Sequence, residues 1–175
     1  MTVTFSAPTL TTDRLTLRAP RLSDFDALAG FYASPRSHFV GGPQTPELAW
    51  RTLAQEAGHW VLRGFGRWTV VETATQFPVG TVGLWHPEGF PERELGWDLF
   101  DGATGKGYAT EAASAARHHA YTSLGWTTLI SLVADGNDAS ARVAKRLGAT
   151  RDGDFTHERY GPMQVWRHPG PEARA

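Results

Sequence analysis

The sequence predicts one α/β domain built on a mixed, largely antiparallel sheet of about six to seven strands, with a central parallel pair and about four flanking helices. Three observations carry this. Arg67–Glu72 and Pro78–Trp85 are strand-like runs joined by a turn, which makes an antiparallel hairpin. An alanine-rich helical stretch separates Glu94–Phe100 from the continuous apolar run Thr127–Val133, the arrangement of a crossover between parallel neighbours. The chain has 175 residues, 41% hydrophobic and 20% charged, a size and balance suited to one core. The domain is expected to span 10–168, with an N-terminal arm at 1–9 and a disordered tail at 169–175.

In chain order, Arg14-Leu-Thr-Leu-Arg18 alternates polar and apolar as a half-buried strand does. Ser23 reads as the N-cap of a helix over Asp24–Tyr32, with Asp24 and Asp26 in its first turn. Pro35 ends that helix, and His38–Pro43 reads as a loop. Thr45 followed by Pro46 opens a second helix carrying Leu48, Trp50, Leu53, Ala54 and Ala57. The hairpin follows, then a proline- and glycine-rich loop from His86 to Pro91. Along Glu94–Phe100, Leu95, Trp97 and Leu99 share one face, and Glu94, Gly96 and Asp98 share the other.

Ala109–Ser123 is rich in alanine, the best helix former, and Gly125 stops it. Asn137 caps a short helix with Ala139, Val143 and Leu147 on one face, ended by Gly148. Two strands close the chain, one inside Thr150–Arg159 and one at Gln164–Arg167.

Composition narrows the function. Formal net charge is −1 with no lysine or arginine block, so nothing marks a nucleic-acid partner or an anionic membrane surface. Cysteine is absent, which excludes disulfides, thiolate zinc sites and a cysteine nucleophile. No run approaches the roughly 18 apolar residues of a membrane span, and the first residues lack a signal pattern. A cytoplasmic protein, without a metal, is the expectation. Most of the seven tryptophans are assigned to packing rather than to a pocket.

The informative stretch is Asp101-Gly-Ala-Thr-Gly-Lys-Gly-Tyr-Ala-Thr-Glu-Ala112, a glycine-rich turn feeding directly into a helix. Such a turn aims backbone N–H groups at one point in front of a helix N-terminus, where phosphates are held. The P-loop pattern fails, because Tyr108 stands where lysine belongs after Gly107. The dinucleotide pattern fails at Thr110, where its third glycine belongs.

Leu95-Gly-Trp-Asp-Leu-Phe100 followed by Thr104–Ala112 resembles the acyl-CoA pyrophosphate loop of the GNAT superfamily of N-acetyltransferases, written Q/R-x-x-G-x-G/A. Gly107 and Ala109 fill the fourth and sixth places, and Thr104 stands where Gln or Arg is usual. The resemblance extends to Leu10–Arg18, Asn137-Asp-Ala-Ser140 and Arg146-Leu-Gly148, so it covers most of the chain. It is greatest to the branch that includes the ribosomal-protein N-terminal alanine acetyltransferases.

The resemblance implies acetyl-CoA as acetyl donor and a primary amine, on a protein N-terminus or a small molecule, as acceptor. Backbone groups of Leu99 and Phe100 would pair with the pantetheine amides. Thr104, Gly105, Lys106, Gly107, Tyr108, Ala109 and Thr110 would hold the pyrophosphate, and Asn137 and Ser140 would approach the pantetheine arm or the sulfur. Tyr32, His38, Phe39, Trp85 and His86 would form the acceptor wall.

Glu94 is the expected general base, set against a solvated charge at a strand edge, and His86 is the alternative base. Glu111 is expected to be structural, favoured by the helix dipole, and His118 and His119 lie too far along the helix to act. The family's tyrosine acid is replaced by Ala144, which leaves Ser140, water or unassisted thiolate departure. Two other classes stand beside this reading: a catalytically weak acyl-CoA-binding sensor, and a nucleotide-binding enzyme disfavoured by the motif failures. A monomer or a homodimer is compatible with the sequence.

Overall fold

A computed structural model describes residues 7–171. Eight strands form one sheet in the order β1-β2-β3-β4-β5-β6-β8-β7, with β1 Leu10–Thr11, β2 Leu15–Arg18, β3 Arg67–Glu72, β4 Pro78–Trp85, β5 Glu94–Leu99, β6 Ile130–Ala134, β7 Thr150–His157 and β8 Gly161–Arg167. The helices are α1 Phe25–Ala33, α2 Pro46–Arg63, α3 Tyr108–Thr122 and α4 Asp138–Arg146. All neighbours are antiparallel except β5 and β6. The expected mixed sheet is therefore present. The strand beyond the expected range is β1, whose two residues are too short for a periodic signal. Among the described residues no helix is long and apolar enough to cross a membrane.

The parallel pair is the feature that makes a site. β5 and β6 meet in the ladder only at Glu94 and Ile130 and then separate. The expected strand from Thr127 accordingly starts at Ile130, and its other edge is taken by β8. Beyond the split, side chains replace the ladder. Ser131 Oγ donates to Leu95 O at 2.6 Å, and the Glu94 carboxylate accepts the Leu132 N–H at 3.1 Å.

Helix α3 lies on one face of the sheet, where Ala112, Ala113, Ala116 and Ala120 are fully buried. Their small side chains let the helix approach Val82, Leu84, Leu95 and Trp68 closely, the packing that an alanine-rich stripe permits. Helices α1 and α2 lie on the opposite face, which carries Arg67, Glu94 and Asp98.

Several local expectations are corrected. Ser23 does not cap α1. It sits in a 3-10 turn, Leu22–Asp24, and the helix starts after Asp24 without a side-chain cap. The buried Asp24 instead ties strands to that turn. It accepts from Arg18 at 2.6 and 2.9 Å, from the Arg21 N–H at 2.9 Å and from Thr69 at 2.8 Å. Burial works against ionisation there, yet these hydrogen bonds hold its pKa below the ordinary aspartate value.

Thr45 caps α2 as expected, accepting the Leu48 N–H, but the buried stripe is Ala49, Leu53, Glu56, His59 and Trp60. Leu48 and Trp50 are exposed. A polar Glu56 on the inner face hides the stripe from a purely apolar reading. His38 belongs to a second 3-10 turn, Pro35–Val40, rather than to a plain loop.

At the N-terminus, residues 1–6 of the expected arm lie outside the described residues, while Pro8 is docked, its carbonyl accepting from Trp68 Nε1 at 2.7 Å. At the other end, residues 172–175 of the expected tail lie outside the described residues, and Pro169 O accepts from Tyr121 Oη at 2.9 Å.

Candidate active site

Two cavities open where β5 and β6 part, one toward α1 and α2 and one toward the glycine-rich turn and α4. They adjoin, since Phe39, Val40, Trp97, Asp98, Asn137 and Ser140 line both. Chemistry between a ligand in each is therefore sterically possible.

The groove on the α4 side contains Leu99, Thr104, Gly105, Gly107, Ala109 and Thr110. Gly105 and Gly107 have φ of +78° and +84°, left-handed values that favour glycine. Gly107 is the N-cap of α3 and has no side-chain cap, so the first-turn N–H groups there have no side-chain partner at the cap. A Cβ on Gly107 would lie 3.4 Å from Arg14 Nη2, so the position is tight as well as left-handed. Gly107→Val should therefore leave no acetyl-CoA binding detectable by calorimetry while costing about 1–3 kcal/mol of strain, the usual range for a side chain held in a left-handed conformation. Unchanged affinity in the folded variant would remove the loop from the site.

The edge of β5 is also open. Arg93 O and Leu95 O face β6, the first accepting the Ile130 N–H and the second Ser131 Oγ. Strand alternation then turns the peptide groups of Trp97 and Leu99 toward the same side, beyond the split. Phe100 was expected among these contacts and is not there: its N–H donates to Val79 O at 2.9 Å, its carbonyl accepts the Ala103 N–H, and its ring is buried against Phe31. The pair available to an extended ligand is Trp97 and Leu99. Leu99 O meanwhile accepts from Arg36 Nη2 at 2.9 Å.

Lys106 and Tyr108 do not line the groove. Lys106 O accepts from Arg14 Nη1 at 3.0 Å, and its Nζ lies over the Tyr108 ring at 5.8 Å. Tyr108 Oη donates to Glu72 and the ring is buried under the Arg14 guanidinium. Glu111 is structural, as expected, accepting from Thr12 Oγ1 at 2.6 Å and from Arg14 N and Nε.

Three arginines not expected at the site, Arg36, Arg142 and Arg146, line this groove. Arg142 and Arg146 are one helical turn apart on α4, a spacing that puts both on one face. They give the groove positive charge where the loop offers Thr104 instead of a longer polar side chain.

Tyr32, Phe39 and Trp85 line the other cavity. His38 is exposed and lines neither cavity, and His86 lines neither as well. His86 offers only its backbone N–H, which donates to His59 Nε2 at 3.0 Å. The His59 ring, stacked on Trp85 at 4.4 Å, is neutral: burial lowers its pKa, and Nδ1 donates to Phe65 O. His86 is therefore not in the wall of the cavity that Glu94 lines.

Glu94 is not a solvated strand-edge charge. It is 8% exposed, and burial pushes its pKa up to about 7, with the Leu132 N–H and Arg67 pulling the other way. Its Oε1 holds Leu132, and among the described residues no hydrogen bond is seen to Oε2.

Beside it lies a buried ionic cluster that periodicity did not reveal. Arg67 Nε donates to Glu56 Oε1 at 3.0 Å, Nη2 donates to that same oxygen, and Nη1 donates to Asp98 Oδ2 at 2.7 Å. Gly96 separates the two groups: a Cβ there would stand 3.8 Å from Arg67 Nη1 and 3.9 Å from Glu94 Cδ. At the junction of the cavities, Trp97 Nε1 donates to Ser140 Oγ at 3.3 Å, and Asn137 Oδ1 caps α4 by accepting the Ser140 N–H at 3.1 Å.

The acetyltransferase (GNAT) domain family matches residues 14–150, more than half of the chain. The chain belongs to the GNAT acetyltransferases. An acetyltransferase structure from Agrobacterium tumefaciens str. C58 superposes with a TM-score of 0.85 at 40% identity, covering 96% of this chain and 98% of that one. An uncharacterized N-acetyltransferase p20 of Bacillus licheniformis is 29% identical over 149 residues, 83% of this chain and 84% of that protein. A ribosomal L7/L12 alpha-N-protein acetyltransferase in complex with coenzyme A shares the fold at 15% identity and a TM-score of 0.75, covering 93% of this chain and 98% of that one. In the GNAT acetyltransferase described here, the matched region runs from β2 to the start of β7 and contains the α4-side groove and most of the other cavity, whose wall is completed by Arg159, Tyr160 and Met163.

Proposed function

We propose that this GNAT protein transfers the acetyl group of acetyl-CoA to a primary amine, on a protein N-terminus or a small molecule, by direct attack of the amine. The observation that carries this is Glu94, a buried carboxyl titrating at about 7 in the wall of a cavity that adjoins the α4-side groove. An amine is protonated at neutral pH and must lose a proton to attack, and a base poised near the working pH suits that task. The coenzyme A complex of a ribosomal-protein acetyltransferase of this fold supports coenzyme A as the cofactor, and the α4-side groove is the part of this chain suited to it. Its left-handed glycines, three arginines and open β5 edge fit a ligand with phosphates and amides.

When bound, acetyl-CoA supplies an acyl group activated as a thioester. Glu94 Oε2 takes a proton from the acceptor nitrogen, directly or through water. Ser140 accepts from Trp97 Nε1, which leaves its own hydroxyl proton to donate into the cleft. Ala144, where relatives of this type carry a tyrosine, is fully buried, so α4 offers no other donor at that place.

A CoA thiol resembles free cysteine, with a pKa of roughly 8.5, and already leaves tolerably as thiolate. Ser140→Ala should therefore lower turnover only about tenfold, equivalent to about 1.4 kcal/mol, with CoA affinity little changed. Full activity in that variant would leave water as the proton donor.

The test of the function is thiol release from acetyl-CoA across a panel of amine acceptors. Acceptor-dependent release that saturates supports the reading. Tight acetyl-CoA binding with no release for any amine would favour a sensor, the reading to which Thr104 and Ala144 point.

A further inference from the structure

The acceptor-side cavity contains a buried carboxylate with no role in the chemistry above. Glu56 is 2% exposed, and its Oε2 has no hydrogen-bond partner among the described residues. Arginine normally meets a carboxylate with two parallel N–H groups, one to each oxygen. Arg67 does otherwise, directing both Nε and Nη2 to Oε1 and turning Nη1 to Asp98. The second oxygen of Glu56 is thus left over on a residue of the cavity wall.

The charges point the same way. Glu56, Asp98 and Glu94 line the cavity, and the buried cation among them is Arg67, already shared between two of them. Arg159 also lines it, but it is exposed, with its guanidinium over the Tyr160 ring. The inner wall therefore carries more negative than positive charge. Tyr32, Trp85 and Phe90 also line it, and the Trp85 ring is already stacked on His59 and faces the Arg67 guanidinium.

We propose that Glu56 is a recognition residue for the acceptor, its free oxygen taking an N–H of a second, positively charged nitrogen, so that preferred acceptors carry a fixed cation besides the amine that is acetylated. The proposal rests on the acetyl-transfer reading only for what happens to the other amine. Arg67 holds Glu56 and Asp98 in place, and Gly96 leaves open the floor between Arg67 and Glu94. The reacting nitrogen then sits at Glu94 and the charged one at Glu56.

The test compares linear aliphatic diamines of three to five carbons with monoamines of the same carbon count, by calorimetric binding to the CoA-loaded protein and by thiol release from acetyl-CoA. In the unaltered protein a diamine should bind about tenfold or more tighter than its monoamine, the effect of one charge-assisted hydrogen bond. The same factor should appear in kcat/KM. In Glu56→Gln the preference should fall to within about threefold. Equal binding of diamines and monoamines by the unaltered protein would overturn the proposal without any variant, and so would an unchanged preference in Glu56→Gln. Diamine binding that depends on Glu56 but gives no thiol release would uphold the recognition site and overturn the acetyl-transfer reading.

Discussion

Glu94→Gln is expected to lower turnover by roughly 10²-fold or more near neutral pH, the usual worth of a positioned general base. Acetyl-CoA affinity should be unchanged, because Glu94 lines the acceptor-side cavity and not the cofactor groove. The pH profile is the sharper readout. With a pKa of about 7, Glu94 is protonated below neutrality, so kcat/KM should rise with pH through about 7 and then level. Glutamine cannot titrate, so that limb should disappear.

Stability provides an independent check of the same pKa. A carboxyl raised in the folded state contributes stability that is present below its unfolded pKa, near 4.5, and lost as pH rises through about 7. Glu94→Gln, which keeps an acceptor for the Leu132 N–H, should therefore gain Tm relative to the parent at pH 8 compared with pH 5. Identical turnover in the two proteins from pH 6 to 9 would transfer deprotonation to bulk water.

Much of this site could be read from the sequence because its parts are local. The glycine turn, the α3 alanines and the Asn137 cap each state their geometry within a few residues, and each stands where the pattern put it. Strand alternation likewise placed Glu94, Gly96 and Asp98 on a common face. What alternation cannot state is what that face meets. Glu56 comes from α2, and its pairing with Arg67 depends on how that helix docks across the sheet.

The same limit explains the misplaced details. Whether Phe100 or Trp97 offers its amide to a ligand depends on which strand edge is open, and that is set by where β5 and β6 part. His86 is adjacent in sequence to Trp85, yet the loop after β4 turns its N–H to His59 and keeps it off the cavity wall. Arg142 and Arg146 were visible as a helical pair, but an apolar stripe on the same helix drew attention to Ala139, Val143 and Leu147. In each case the missing information is tertiary.

The largest expected loss of stability follows from Arg67→Met. The arginine is 14% exposed and faces carboxylates that are 2% and 6% exposed, and among the described residues it is the cation paired with both. Removing one partner of a buried pair leaves the other uncompensated, at a cost of about 3–5 kcal/mol. For a chain of this size that corresponds to a drop in Tm on the order of 10 °C. Packing is lost as well, since the guanidinium lies 5.3 Å from the centre of the Trp85 ring that stacks on His59.

The pH dependence identifies the cause. Burial already raises the Glu56 pKa, and Arg67 is the group that pulls it back. Without the arginine, Glu56 should bind its proton more tightly in the folded state, so stability is present in acid and lost as pH rises through the raised pKa. The defect in Arg67→Met should accordingly be larger at pH 8 than at pH 5. Adding Glu56→Gln and Asp98→Asn should return most of the lost Tm at pH 8, because the buried charges then no longer exist. A fall in Tm below about 2 °C for Arg67→Met at pH 8, corresponding to less than about 1 kcal/mol, would show that the cluster is hydrated and that Arg67 does not neutralise Glu56 and Asp98 in a dry wall.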